Sequence, residues 1–165
     1  LRSRRWRYGD LMDRRRFIAA GLSLTPLAAA LAACGKTGEW PEGMAEIKWD
    51  RDTCMRCSMV ISDRRFAVQL RGGEKNLALK FDDVGCAVVW MRDKIKDYPW
   101  MSDAATKFWV ADISSTGDKW LDARKAQFIG GKSSPMAYNF GATAYPQGGS
   151  QGFEEMRQHV LAKGR

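Results

Sequence analysis

Histidine is almost missing from this sequence. Of 165 residues only His159 is one, and it falls in a segment that reads as a terminal helix. Four-coordinate zinc sites are commonly built from cysteine and histidine. With one histidine and no second Cys-x-x-Cys, a zinc ribbon is excluded. Long hydrophobic runs are also lacking. The apolar stretch from Phe17 to Cys34 is interrupted by Gly21 and Pro26 and falls short of the roughly 20 apolar residues a membrane span needs. What is present is 45% hydrophobic and 11% aromatic residues, a composition that suits one globular domain.

The first 33 residues stand apart from that domain. "LRSRRWRYGDLMDRRRF" carries seven arginines against Asp10 and Asp13, and an apolar run follows. A basic segment, an apolar segment and small residues before a cleavage point make an export signal. Leu31-Ala32-Ala33-Cys34 resembles a lipobox, with Cys34 as the lipidated new N-terminus. Asp13-Arg14-Arg15-Arg16-Phe17-Ile18 resembles the twin-arginine export pattern, with Arg14 and Arg15 as its pair. Met12 offers an alternative start. Gly35, not Asp, follows Cys34, which favours an outer-membrane anchor facing the periplasm. The whole chain is +8; without residues 1–33, 20 bases and 17 acids remain, a net +3. Basicity thus belongs mostly to the targeting segment, no dense Lys/Arg stripe is left, and no nucleic-acid partner is expected.

The expected organisation is a signal peptide over 1–33, a lipid-anchored linker over 34–44 and a folded domain over 45–165. "AEIKWD" reads as a short first strand. "RRFAVQL" alternates, with Phe66, Val68 and Leu70 on one face, as in a half-buried strand. The turn "RGGEKN" and the strand "LALKF" complete a hairpin. Asp82 or Asp83 caps a helix whose apolar stripe is Val84, Ala87, Val88, Met91 and Ile95, ending before Pro99. "KFWVADI" is another strand, "WLDARKAQFIGG" a short strand or helix pair, and "SSPMAYNFGATAYPQGG" a loop-rich stretch with one or two strands. Ser150 caps a final helix with Phe153, Met156 and Val160 on one side. The order β-β-α-β, then strands and a helix, predicts an α+β domain of two β-β-α-β-like modules.

The chemistry is concentrated in "DTCMRCSMV", where Cys54, Met55, Cys57 and Met59 lie within six positions. Three readings compete. A Cys54–Cys57 disulfide suits an oxidising compartment, but closing so short a loop contributes little stability. A redox-active pair needs a strand-to-helix setting, whereas the segment after Cys57 reads as strand. The third reading is a soft metal, because thiolate and thioether ligands together select Cu(I). In extended backbone Cys57 and Met59 project from one face, and Cys54 can fold back to meet them. Cys86, within the first helix, is read as an inert buried thiol, and Met44, Met91, Met101 and Met156 as core fillers.

Taken in order, the lipobox, "CMRCSM", "RRFAVQL", "FDDVGC", "WLDARKAQFI" and "SSPMAYNFGATAY" resemble the NosL family, periplasmic copper-binding lipoproteins that serve nitrous oxide reductase. The resemblance runs from Cys34 to about Tyr145. It implies an α+β fold related to the organomercurial lyases, a Cu(I) cargo and no catalytic residues. It also implies a copper-acceptor partner, nitrous oxide reductase or its assembly machinery. By position it implies Cys54, Cys57 and Met59 as ligands, and it adds Met136 through Pro135-Met136. Asp82 and Asp83 match the family's "FDD" element, read as a helix cap. Two positions depart from the pattern: Ser58 and Ala137 stand where the family has glycine, a residue that permits positive φ or close backbone approach. The alternative function is a periplasmic thiol–disulfide oxidoreductase using Cys54 and Cys57.

Overall fold

The computed structural model describes residues 40–163. The expected signal peptide, Arg14, Arg15 and Cys34 lie outside the described residues. Two antiparallel sheets and two helices make up the domain. The first sheet holds β1 (Val68–Gly72), β2 (Leu77–Phe81), β3 (Lys107–Ala111) and β4 (Trp120–Asp122), in the order β2-β1-β3-β4. Helix α1 (Val84–Lys94) follows β2, and a single 3-10 turn covers Pro99–Ser102. The second sheet holds β5 (Gln127–Ile129), β6 (Gly141–Thr143) and β7 (Ser150–Gln151), in the order β6-β5-β7. Helix α2 (Phe153–Ala162) closes the fold. A parallel bridge between Asp112 and Ala142 joins the sheets. The leading β-β-α-β module is the one expected. The trailing half runs through β5, β6 and β7 to α2, the expected order of strands and then a terminal helix, but among the described residues no strand follows that helix to complete a second β-β-α-β module. Among the described residues no helix is long and apolar enough to cross a membrane.

The expected β1–β2 hairpin is present, with Gly72 opposite Leu77. Its loop turns through Gly73 at φ +73°, a left-handed conformation that glycine reaches without steric cost. β1 is not the half-buried strand that alternation suggests. Val68, Gln69 and Leu70 are all buried, because β1 is an inner strand covered on both faces. The Gln69 side chain explains the second cover. Its Oε1 accepts from Ala45 N at 2.8 Å and its Nε2 donates to Ala45 O at 2.7 Å. A buried amide must find such partners, and this one grips the segment before the cysteines. "AEIKWD" therefore forms no strand; it is a strap held by a side chain. Trp49 of that strap stacks with Trp40 and Trp120, ring centres 6.0 and 6.5 Å away.

Helix α1 begins where Asp83, in extended conformation, accepts a hydrogen bond from Gly85 N at 2.8 Å. This satisfies one of the donors every helix start leaves open. The expected apolar stripe is present, but Gly85, Cys86 and Val89 are buried as well, so the first half of α1 is enclosed on all sides. The loop after β5 covers the extra face. A Cβ on Gly85 would come within 2.0 Å of the Tyr138 ring, so only glycine lets the two segments approach. Helix α2 starts at Phe153 behind Gly152, with no side-chain cap. The expected cap, Ser150, instead lies in β7, and its hydroxyl accepts from Gln147 N. Phe153 meets Phe108 edge-on at 5.5 Å and Phe128 at 6.2 Å, so α2 spans both sheets.

Candidate metal centre

The cysteine loop is a tight backbone knot. Cys54 N donates to Met59 O at 2.8 Å, Ser58 N donates to Cys54 O at 2.9 Å, and Thr53 bridges Val60. Ser58 sits at φ +62°, in the left-handed region where the resemblance expects glycine. The segment around Cys57 is thus a turn and not an extended strand, which overturns the argument that Cys57 and Met59 share a strand face. Two links fasten the knot to β2: Met55 N donates to Lys80 O at 2.8 Å, and Lys80 Nζ reaches Asp52 Oδ2 at 2.5 Å.

Directly behind the knot lies the β2–α1 junction. Here the structure gathers four ligand atoms: the Sγ of Cys54, Cys57 and Cys86 and a carboxylate oxygen of Asp82, all within 4.8 Å of one another. Three are deeply buried, at 1% (Cys54), 0% (Cys86) and 2% (Asp82) exposure, while Cys57 is half-exposed and forms the mouth. Cys57 Sγ lies 3.4 Å from Asp82 Oδ2. The other oxygen, Asp82 Oδ1, is buried with no hydrogen-bond partner among the described residues. Such an orphan is costly and marks a place where a cation fits.

Two expectations are corrected here. Cys86 is no inert core thiol, because it faces the other two. Asp82 is no helix cap either. Asp83 fills that role, which leaves Asp82 free to turn toward the sulfurs. Both could have been seen in "DDVGC": one helix start needs one capping acid, so the second acid needs another purpose, and Cys86 is only three residues beyond the cap.

None of the three cysteines among the described residues is in a disulfide. Cys54 is drawn down to about 7, chiefly because the Cys86 thiol donates to its sulfur, with burial opposing. Burial first, then the neighbouring Cys54, pushes Cys57 up to about 12. Cys86 is pushed up because its proton is held by Cys54 and because it is buried. A thiol–disulfide oxidoreductase needs the reverse, an exposed nucleophile with a low pKa. Here the ionised sulfur is inside and the accessible one keeps its proton.

Asp83 ties the remaining segment to this centre. Its Oδ2 accepts from Ser134 Oγ at 2.6 Å and from Met136 N at 3.3 Å. Burial raises its pKa against those hydrogen bonds. Met136 follows Pro135 in this held loop, half-buried and packed against the core. Ala137 beside it lies at φ +55°, again at a position where the resemblance expects glycine. Met136 is thus brought to the same helix start as the thiols, through the acid next to Asp82. Met59 is 50% exposed, on the outer side of the cysteine knot with Met55 and Val60.

The chain is similar to the crystal structure of the copper chaperone NosL from Shewanella denitrificans. The TM-score is 0.48 at 15% identity, over 74% of this chain and 89% of that one. No protein-family model matches the chain, and no curated protein does.

Of the four residues expected as ligands, Cys54 and Cys57 meet in the cluster, Met136 is on the adjoining loop and Met59 is on the rim. The set is sulfur-rich, and Cys57 is its least buried member. It can bind a thiophilic ion inside and offers thioethers along the exposed edge.

Proposed function

We propose that the protein is a periplasmic Cu(I) carrier, tethered to the membrane through a lipid on Cys34 after export by the Arg14-Arg15 signal. Its client is the copper centre of nitrous oxide reductase or the machinery that assembles it. It performs no turnover of its own. The observation that carries this reading is the convergence of three thiols, Cys54, Cys57 and Cys86, from two separated segments onto one point. Thiolates are the ligands that hold Cu(I) against harder ions. Cys57 stands at the mouth, with the Met59 thioether on the rim and Met136 on the Asp83-held loop. An ion bound inside can therefore be handed outward by exchanging one sulfur at a time. The order of the sequence motifs that resemble NosL points the same way.

Anaerobic Cu(I) titration of the reduced protein against a chromophoric chelator tests the reading. One Cu(I) per chain is expected, with at least a tenfold loss of affinity in Cys57→Ser and in Cys86→Ser. Unchanged binding by both variants would show that copper sits elsewhere. Absence of competition at micromolar protein would remove the carrier role altogether.

A further inference from the structure

The apolar stripe of α1 is not fully covered. Val88 is 2% exposed, but Met91 and Ile95, one and two turns further on, are only half-buried. They line a cleft of about 480 Å³. Its other apolar walls are Met101, which is fully buried in the 3-10 turn, and Phe153 at the start of α2. Beside this floor stand guanidinium groups from three segments: Arg92 of α1, Arg124 just after β4 and Arg157 of α2. We propose that the cleft is a binding site for a small monoanionic amphiphile, a carboxylate on an unbranched hydrocarbon chain of the fatty-acid class. None of Cys54, Cys57, Cys86 and Asp82 lines it, so the inference does not rest on the carrier reading.

Size, charge and preorganisation each narrow the ligand. Small-molecule sites run from about 300 to 1,000 Å³, mostly apolar with a few placed polar groups. A single helical turn, about 10–12 Å across and about 5.4 Å long, already fills roughly 400–600 Å³. The cleft is therefore too small for an amphipathic partner helix of several turns, but it holds a short chain.

Charge selects the head group. Arg157 forks onto Glu154 at 2.8–3.1 Å, and Arg92 reaches Asp93 at 2.7 Å. The Arg124 side chain meets no carboxylate among the described residues. Two backbone carbonyls hold it instead: Nη1 donates to Thr106 O at 2.6 Å and Nη2 to Asp103 O at 3.4 Å. One positive charge is thus left uncompensated, which matches a carboxylate and not a phosphate dianion. A planar guanidinium pairs with a carboxylate through two parallel hydrogen bonds, and a fork already anchored loses little freedom in doing so. The Arg157–Glu154 pair is exposed on both sides. Such pairs are weak, so Arg157 can turn to the same head group. A neutral or cationic amphiphile of equal length would gain the apolar contact without the charge pairing.

Octanoate, 1-octanol and octylammonium are titrated separately into the purified, reduced protein, followed by calorimetry and methyl NMR. Octanoate is expected to bind one-to-one with a Kd on the order of 100 μM, shifting the methyl signals of Val88, Met91 and Ile95. Octanol and octylammonium are expected to bind about tenfold more weakly or less, and Arg124→Gln to lose about tenfold or more of the octanoate affinity. No saturable octanoate binding, equal affinity for octanol, or shifts confined to another surface each overturn the inference. Unchanged octanoate affinity in Arg124→Gln, with the fold intact by circular dichroism, overturns it too. Should Arg124→Gln not fold, the wild-type comparison of octanoate with octanol decides alone.

Discussion

At the scale of single residues the centre is governed by where protons sit. Cys54 is ionised near pH 7 because Cys86 donates to it, while Cys57 holds its proton to about 12 because it is partly buried beside Cys54. Thiolates, not thiols, bind metal, so loading must expel protons. Above pH 7 the proton on Cys57 still competes; below it the proton on Cys54 competes as well. Apparent Cu(I) affinity is therefore expected to rise with pH, and more steeply below 7 than above. With Cys54 and Cys57 alone as thiolate ligands, the gain from pH 6 to pH 8 is on the order of a thousandfold; Cys86, whose pKa is also raised, adds roughly a hundredfold more if it too binds as a thiolate. Competition titrations across that range check it. A flat profile would mean that Cys54 and Cys57 do not both bind as thiolates. Sequence reading reached these two cysteines because their spacing is local. Cys86 and Asp82 lay some 30 residues further along, and their part depends on which way a helix start faces.

At the scale of elements, two loops and one helix start make the site. The cysteine knot and the 134–139 loop each turn through a non-glycine residue in the left-handed region, Ser58 at φ +62° and Ala137 at φ +55°. That conformation costs an ordinary residue roughly 1–2 kcal/mol, and glycine returns part of the gain through the entropy of its unfolded chain. Ser58→Gly and Ala137→Gly are each expected to stabilise the protein by about 0.5–1 kcal/mol, read as a higher urea midpoint with unchanged m-value. Destabilisation by either would mean that its side chain makes a contact worth more than the backbone strain. Both residues thus hold the left-handed turn without a glycine. The β1–β2 hairpin and α1 were legible because their patterns are local. The first expected strand was not: "AEIKWD" alternates well enough, but the Gln69 amide offers its backbone hydrogen bonds in place of a strand.

At the scale of the whole molecule, the four clustered donor residues come from segments on either side of the first hairpin. An ion binding them joins the strap-and-knot region to α1 and favours only the folded chain. At about 100-fold excess over Kd such binding adds about 2.7 kcal/mol. For a domain of this size that is a rise of about 8–15 °C in Tm. Thermal unfolding of the reduced protein with and without Cu(I) under anaerobic conditions checks this. Cys57→Ser should lose most of the rise. No shift in the wild type, despite stoichiometric binding, would mean that the unfolded chain holds the ion equally well.

By itself the sequence determined the α+β class, the hairpin, the capped helix and the pair Cys54 and Cys57, because each rests on periodicity or spacing within a few residues. Only the tertiary structure decided that Asp83 caps while Asp82 faces the sulfurs, and that Cys86 completes the set. It also decided that Met59 is exposed while Met136 is half-buried on the loop held by Asp83. Those choices follow from enclosure: the Tyr138 ring against Gly85 and the Asp83 carboxylate on the 134–136 loop close one face of α1. No local pattern shows which side chains such a closure will leave together without water.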